Sequence, residues 1–358
     1  MRSKLAGLVP YNPGKSLEEL EKLTGQKIVR LSSNESLWGP SPLALDALKH
    51  NLDKINLYPD GAAQELKKAL ADLWGLDPAC FCLGNGADEV IFMLAVSLLD
   101  PGEEAVIPIP TFSQFAVAVI SSGGNCRFLP QPDLAFDLKD IAAGLTDKTR
   151  MVFICNPNNP TGTSFTHQEL REFLQQVPRD IVVVLDEAYC HFAADPSFPR
   201  SAELLQEHRN LVVLRTFSKV YGLATLRIGY GAADPAIIRQ MEKIRLPFNT
   251  GILQQTAALA ALADESFIRQ VVKETVRERS WLQEEFQALG YQTLPSQANF
   301  ILFKPQTDAA QLAENLLQKG FLLRHTGSFG LPDWIRVTIG PHPLMTKLAE
   351  TLKQLSAS

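Results

Sequence analysis

The amino-acid sequence predicts an α/β fold: a mostly parallel seven-stranded sheet in a large domain, followed by a smaller α+β domain. Three observations carry this. Seven short runs, at 80–83, 104–108, 125–129, 151–155, 181–186, 211–216 and 228–232, are apolar, several of them at consecutive positions, as strands buried on both faces are. Helix-like stretches lie between them; in SFTHQELREFLQQV, Thr166 is an N-cap and Glu169, three residues on, completes a capping box. After about residue 233 the rhythm changes. One long helical region runs from near Asp234 to Leu289 with an interruption at Pro247. Short strand-like runs then follow at 298–303, 321–324 and 334–339, around a helix that Gly320 stops.

A chain of 358 residues exceeds the usual single-domain size. The expected division is an N-terminal segment, 1–30, packing with the small domain, a large domain over 31–245 and a small C-terminal domain over 246–358. Right-handed crossovers would put helices on both faces of the large sheet. The net charge of −5, spread without blocks, argues against nucleic acid or an anionic membrane as partner. Five cysteines, an odd number lying mostly in or beside apolar runs, are expected to be buried free thiols of a reducing cytosol. Cys80 and Cys82 have C-x-C spacing without a second pair, so no metal is expected. The longest apolar run, 90–99, contains a serine and is too short for a bilayer, so it reads as a buried helix. The first residues lack the apolar core of a signal peptide, and a cytoplasmic location is expected.

Ligands of open parallel sheets bind at the carboxyl ends of the strands. The residues after each run are therefore the informative ones. They are GNGADE at 84–89, IPTF ending at Phe112, NPNNPTG at 156–162, DEAY at 186–189 and FSK ending at Lys219. Singly, each has a plain reading. GNGADE is a strand-to-helix turn, NPNNPTG a loop of turn formers, Asp186 a helix cap, Lys219 an exposed turn lysine. Together they favour one chemistry. A lysine with an accessible, partly neutral amine forms a Schiff base with an aldehyde cofactor. Pyridoxal 5′-phosphate needs that lysine, a phosphate cradle and an acid at its ring nitrogen. Asp186 suits the ring nitrogen, Tyr189 and Asn159 the ring oxygen, and Phe112 the ring face. The turn Gly86-Ala87-Asp88 with Ser218 and the forked guanidinium of Arg227 suits the phosphate.

The motifs GNGADEVI, CNPNNPTGT, DEAY and RTFSKVYGLATLRIGY resemble those of the fold-type-I pyridoxal-phosphate aminotransferases. LSSNES, YPDGAAQELKKALA, RLPFNT, SQANFILF and IRVTIG are similar to stretches of the histidinol-phosphate aminotransferases within that group, and the resemblance covers nearly the whole chain. It implies transamination of L-histidinol phosphate with 2-oxoglutarate, giving imidazole-acetol phosphate and L-glutamate. Lys219, Asp186 and Tyr189 would be the catalytic residues. The cofactor site would comprise Gly86, Ala87, Asp88, Phe112, Asn159, Asp186, Tyr189, Thr216, Ser218, Lys219 and Arg227. Tyr58 would reach the cofactor phosphate of a neighbouring subunit, which implies a homodimer with shared active sites. Arg336 matches an arginine that holds substrate carboxylates, and Arg324, Tyr11 and Asn34 are further substrate positions. Two stretches depart from the family pattern. NESLWGPSP stands where NENP is common, and PTFSQF where the segment often ends in MY. Both lie near the substrate and leave an aromatic-amino-acid aminotransferase as the alternative. A threonine-phosphate decarboxylase and a non-catalytic regulator on the same scaffold rank below it.

Overall fold

Seven of the predicted apolar runs come together in one sheet. The computed structural model describes residues 14–356 together with Leu5 and Leu8. In chain order its strands are β1 (Val29–Arg30), β2 (Phe81–Gly84), β3 (Glu104–Ile109), β4 (Asn125–Pro130), β5 (Thr149–Cys155), β6 (Val182–Asp186), β7 (Leu211–Thr216), β8 (Gly229–Ala233), β9 (Gln292–Thr293), β10 (Phe300–Lys304), β11 (Phe321–Leu322), β12 (Arg324–His325) and β13 (Ile335–Thr338). The large sheet has the order β2-β8-β7-β6-β5-β3-β4. β8 runs antiparallel to both its neighbours, and the other pairs are parallel.

Consecutive apolar positions divide between the two faces of this sheet, because successive side chains of a strand point oppositely. Val152, Ile154, Val183, Leu185, Leu211 and Val213 enter one core. Met151, Phe153, Cys155, Val184, Val212 and Leu214 enter the other. The run at 125–129 differs. β4 is an edge strand and none of its residues is buried, which accommodates its polar Asn125 and Arg127. The run at 90–99 lies in the helix Ala87–Leu98 up to its C-cap Leu99, and Thr166 and Glu169 form the reciprocal cap of the helix His167–Gln176.

A second sheet, β12-β13-β10-β9, is antiparallel throughout. Ile301, Phe303, Ile335 and Val337 join Leu282, Phe286, Leu348 and Leu352 of two helices, Glu265–Ala288 and His342–Ser356, in a third core. β1 pairs in parallel with β11, and Leu31 enters this third core.

Three expectations are corrected. The helical region 234–289 is three helices, Pro235–Glu242, Ile252–Ala263 and Glu265–Ala288. The chain leaves helix around Pro247, and Asp264 separates the second helix from the third by capping the latter. The run 321–324 is two strands in different sheets, β11 and β12. All five cysteines are free, but only Cys82 and Cys155 are buried; Cys80, Cys126 and Cys190 lie at element ends or on the edge strand and are partly exposed. No helix among the described residues is long and apolar enough to cross a membrane.

The loop after β7 is packed against the segment after Asn34. Gly222 has φ +70°, its N–H donates to Lys219 O, and a Cβ on it would lie 2.3 Å from Gly39 O. Gly75 also has positive φ, +63°, but faces open space. Gly75→Ala should therefore cost about 1 kcal/mol, the conformational penalty alone. Gly222→Ala should cost roughly 3 kcal/mol or more, because backbone must also move. Urea unfolding midpoints of the two variants measure the difference.

Candidate active site

The carboxyl ends of β5, β6 and β7 open into a cleft lined by Ala87, Asp88, Phe112, Asn159, Asp186, Tyr189, Thr216, Ser218, Lys219 and Arg227, and also by Cys155 and Ala188. Most of the polar side chains sit at the end of a buried strand or a few residues past it, and Arg227 lies just before β8. Asp186 ends β6, and backbone bonds from Asn156 N to Asp186 O and from Glu187 N to Leu214 O extend the ladder just beyond the strands. Behind the rim, Arg215 donates twice to the buried Glu187 carboxylate, at 2.8 and 3.0 Å, and lies 4.2 Å over the Trp74 ring. Ser201 Oγ donates to the same carboxylate. Losing one partner of such a pair costs about 3–5 kcal/mol, so the ends of β6 and β7 are firmly tied.

Asp186 is 4% exposed, and its Oδ1 accepts from Ala188 N at 2.9 Å. Burial pushes its carboxyl up to about 7, with the Asp88 charge adding to the shift. Lys219 moves the opposite way. Burial, reinforced by the Arg336 charge, brings its amine down to about 8. Its Nζ lies 3.4 Å from Ser33 O and 5.4 Å from the centre of the Tyr189 ring. An acid with no ion-pair partner among the described residues and an amine of lowered proton affinity are a pair with unfilled electrostatic demand. A cationic ring nitrogen answers the first, a carbonyl the second.

An anion pocket adjoins them. The helix Ala87–Leu98 has Gly86 at its N-cap, which offers no side chain to its first N–H groups. A Cβ there would sit 2.6 Å from the Arg227 guanidinium, and one on Gly229 would sit 2.5 Å from Ala87 N. Glycine at both places lets Arg227 and the helix start converge. Arg227 itself has φ +49°, a left-handed conformation that costs a non-glycine residue roughly 1–2 kcal/mol. Its Nη2 donates to Asp88 Oδ2 at 3.0 Å and its Nη1 to Ser218 Oγ at 3.5 Å, while Ser218 N donates to Thr216 Oγ1. Helix N–H groups, a hydroxyl and a guanidinium around one point suit a phosphate.

The second sheet meets the cleft through Arg336, which binds the lining residue Asn159. Arg336 on β13 is 5% exposed; Nη1 donates to Asn159 Oδ1 and Nη2 to Ser32 O at 2.6 Å, while Nε has no partner. Burial lowers its pKa to about 10. Arg324 is its register partner on β12, and both guanidinium groups approach the Phe329 ring, at 5.8 and 5.9 Å. Asn34, buried and with φ +55°, donates from Nδ2 to the Tyr189 hydroxyl at 3.1 Å. Burial raises the Tyr189 hydroxyl well above its ordinary range. Phe112 meets Phe115 edge-on, at 5.6 Å.

Not every predicted residue reaches this cleft. Tyr58 is 82% exposed and stacks on Phe248 at 4.6 Å, away from the cleft's lining. Tyr11 lies outside the described residues. Conversely, Cys155 and Ala188 line the cleft and Phe329 bridges the two arginines, none of them anticipated. Cys155 ends a strand and Ala188 is the small residue inside DEAY, which is the signal that was available.

The profile of the family "Aminotransferase class I and II" matches residues 26–352. The chain belongs to this aminotransferase family. It is 44% identical over 357 residues to "Histidinol-phosphate aminotransferase 2" of Carboxydothermus hydrogenoformans, covering 99% of each chain. It is 41% identical to histidinol-phosphate aminotransferase of Moorella thermoacetica, over 99% of this chain and 93% of that one. Its fold superposes with a TM-score of 0.90, at 30% identity, on histidinol-phosphate aminotransferase of Sinorhizobium meliloti, a structure in complex with pyridoxal-5′-phosphate; 99% of this chain and 98% of that chain are covered.

In cofactor-free protein the acid at 186 opposes stability at neutral pH. Its pKa lies above the unfolded value of 3.8, so between about 4 and 7 the folded state holds the extra proton and stability falls as pH rises. Asp186→Asn should therefore raise the urea midpoint of the cofactor-free protein at pH 8, by roughly 1–3 kcal/mol in stability, and change little at pH 4.

Proposed function

We propose that this aminotransferase uses pyridoxal 5′-phosphate to convert L-histidinol phosphate and 2-oxoglutarate into imidazole-acetol phosphate and L-glutamate. One observation carries the reading: a lysine of lowered proton affinity, a buried acid and a helix-end anion pocket share one cleft, whose Asn159 is bound by Arg336 of the second sheet. The names of relatives at 41–44% identity over nearly the full chain support the substrate assignment.

The residues fit the cofactor. Ala87 and Asp88 N–H groups, Ser218, Thr216 and Arg227 would hold its phosphate, Asp186 its ring nitrogen, Tyr189 and Asn159 its ring oxygen, and Phe112 its face. Lys219 would anchor it covalently. When bound, pyridoxal 5′-phosphate supplies an electron sink for the carbanion at the substrate Cα. Lys219 Nζ, with its lowered proton affinity, accepts the Cα proton. Asp186, paired with a cation, becomes ionised and stays so. Arg336 Nε and Nη atoms offer a fork for the carboxylate of glutamate. Arg324, beside it across Phe329, adds the charge a substrate phosphate needs. Asn34 orients the Tyr189 hydroxyl. Tyr11 is assigned to the substrate side on resemblance alone.

The large domain would span 31–245 and the small domain 246–358; of the N-terminal segment 1–30, the part from residue 14 onward would pack on the latter, and most of what precedes it lies outside the described residues. A homodimer accounts for the exposed apolar group Leu52, Ile55, Leu57, Tyr58, Leu246 and Phe248, which a monomer would leave in water. In that dimer Tyr58 completes the partner's phosphate site. The free thiols fit a cytoplasmic enzyme.

Purified protein should transaminate L-histidinol phosphate, and Lys219→Ala should lose at least about 10⁴-fold in kcat. Subunit complementation tests the shared site. Lys219→Ala and Tyr58→Ala proteins, each impaired, should regain activity after mixing and subunit exchange, since one site per hybrid is then intact. Absence of recovery in demonstrated hybrids contradicts the assignment of Tyr58.

A further inference from the structure

We propose that Arg279 is a positioning residue for the reaction, locking the Tyr189-bearing loop to the strand that carries Phe300. Arg279 lies on the helix Glu265–Ala288, outside the cleft, and is 4% exposed. Its Nη1 donates to two backbone carbonyls, Phe192 O at 2.9 Å and Ala298 O at 2.8 Å. No carboxylate pairs with it among the described residues; the neighbouring Glu278 is bound by Arg277 and His342. A buried guanidinium answered only by neutral carbonyls is a costly way to fill space, which a leucine or methionine would do better. Its gain is two charge-assisted bonds from one rigid nitrogen. Phe192 follows Tyr189 by three residues, and Ala298 precedes Phe300 by two.

The far side of the same ring of contacts closes at the cleft. The Tyr189 ring meets Phe300 edge-on at 5.1 Å, Asn299 Nδ2 donates to Asn34 O at 3.2 Å, and Asn34 Nδ2 donates to the Tyr189 hydroxyl. Gln297 reinforces the seam. Its side-chain Oε1 accepts from Ala194 N at 2.7 Å and its backbone N–H donates to Gly162 O at 2.8 Å. The loops of Tyr189 and Asn159 are thus both fastened to the segment 296–300, with Arg279 as the buried member. Releasing Phe192 and Ala298 lets Tyr189 drift from Asn34 and from the ring oxygen that the proposed function assigns to it, so this inference rests on that reading.

The test is a pH titration of the visible absorbance of the lysine-bound cofactor, with steady-state kinetics, in wild type, Arg279→Met, Arg279→Lys and Gln297→Ala. Arg279→Met should move the absorbance midpoint upward by about one pH unit, a tenfold change in proton affinity. Its kcat should fall roughly tenfold with KM values little changed. Arg279→Lys, which keeps a donor cation, should recover at least half of the midpoint shift. A folded, cofactor-loaded Arg279→Met with wild-type midpoint and kcat overturns the proposal. Where Arg279→Met does not fold, Gln297→Ala decides: a smaller upward shift supports the seam, a wild-type midpoint overturns it. A wild-type protein that gains no visible band with cofactor overturns the aminotransferase reading and this inference together. A wild-type band with unshifted variants overturns only the role of Arg279.

Discussion

The architecture depends on one buried guanidinium. Arg336 reaches from the antiparallel sheet to Asn159 and to the carbonyl of Ser32, so a side chain of β13 closes a cleft built on β5, β6 and β7. A guanidinium is weakly hydrated for a cation and satisfies several acceptors in one plane, which is why it survives burial where a lysine would not. Its unpartnered Nε keeps some of its bonding capacity in reserve. The same charge, after burial, helps to lower the proton affinity of the Lys219 amine. The residues proposed for substrate recognition and for proton transfer are therefore electrostatically linked before any ligand arrives.

The cleft is preorganised through opposed perturbations. Burial alone would raise Asp186 and lower Lys219, and both happen. Neither group is at rest in a free protein. A cofactor with a cationic nitrogen and a reactive carbonyl relieves both at once, and the phosphate relieves the third unmet demand, the uncapped helix start at Gly86. Strain at Arg227 and the close approach of Gly229 fall at this same point, where backbone distortion is retained because it aims a side chain.

Much of this was legible in the sequence because a buried parallel sheet writes itself as consecutive apolar residues and delivers its ligands at strand ends. Asp186 and the residues up to Lys219 follow such runs directly, and a single side chain's location is then a local matter. Contacts between distant segments were not legible. Arg336 meets Asn159 and Asn34 meets Tyr189 only because the two sheets pack together, and nothing in their local patterns encodes that. The division of 321–324 between two sheets is likewise a tertiary outcome, since two adjacent two-residue strands look like one. The breaks in the helical region 234–289 were visible at Pro247 and missed at Asp264, where the capping carboxylate also accepts from Ser41, far away in sequence.

The most direct test of the central claim, that this cleft transaminates a phosphorylated amino alcohol, is a half-reaction followed by absorbance. Cofactor-loaded protein is titrated with L-histidinol phosphate, and separately with L-phenylalanine, in the absence of any oxo acid. The visible band is expected to be lost at far lower concentrations of L-histidinol phosphate and to return on adding 2-oxoglutarate. A band that responds more readily to L-phenylalanine, or to neither donor, would contradict it.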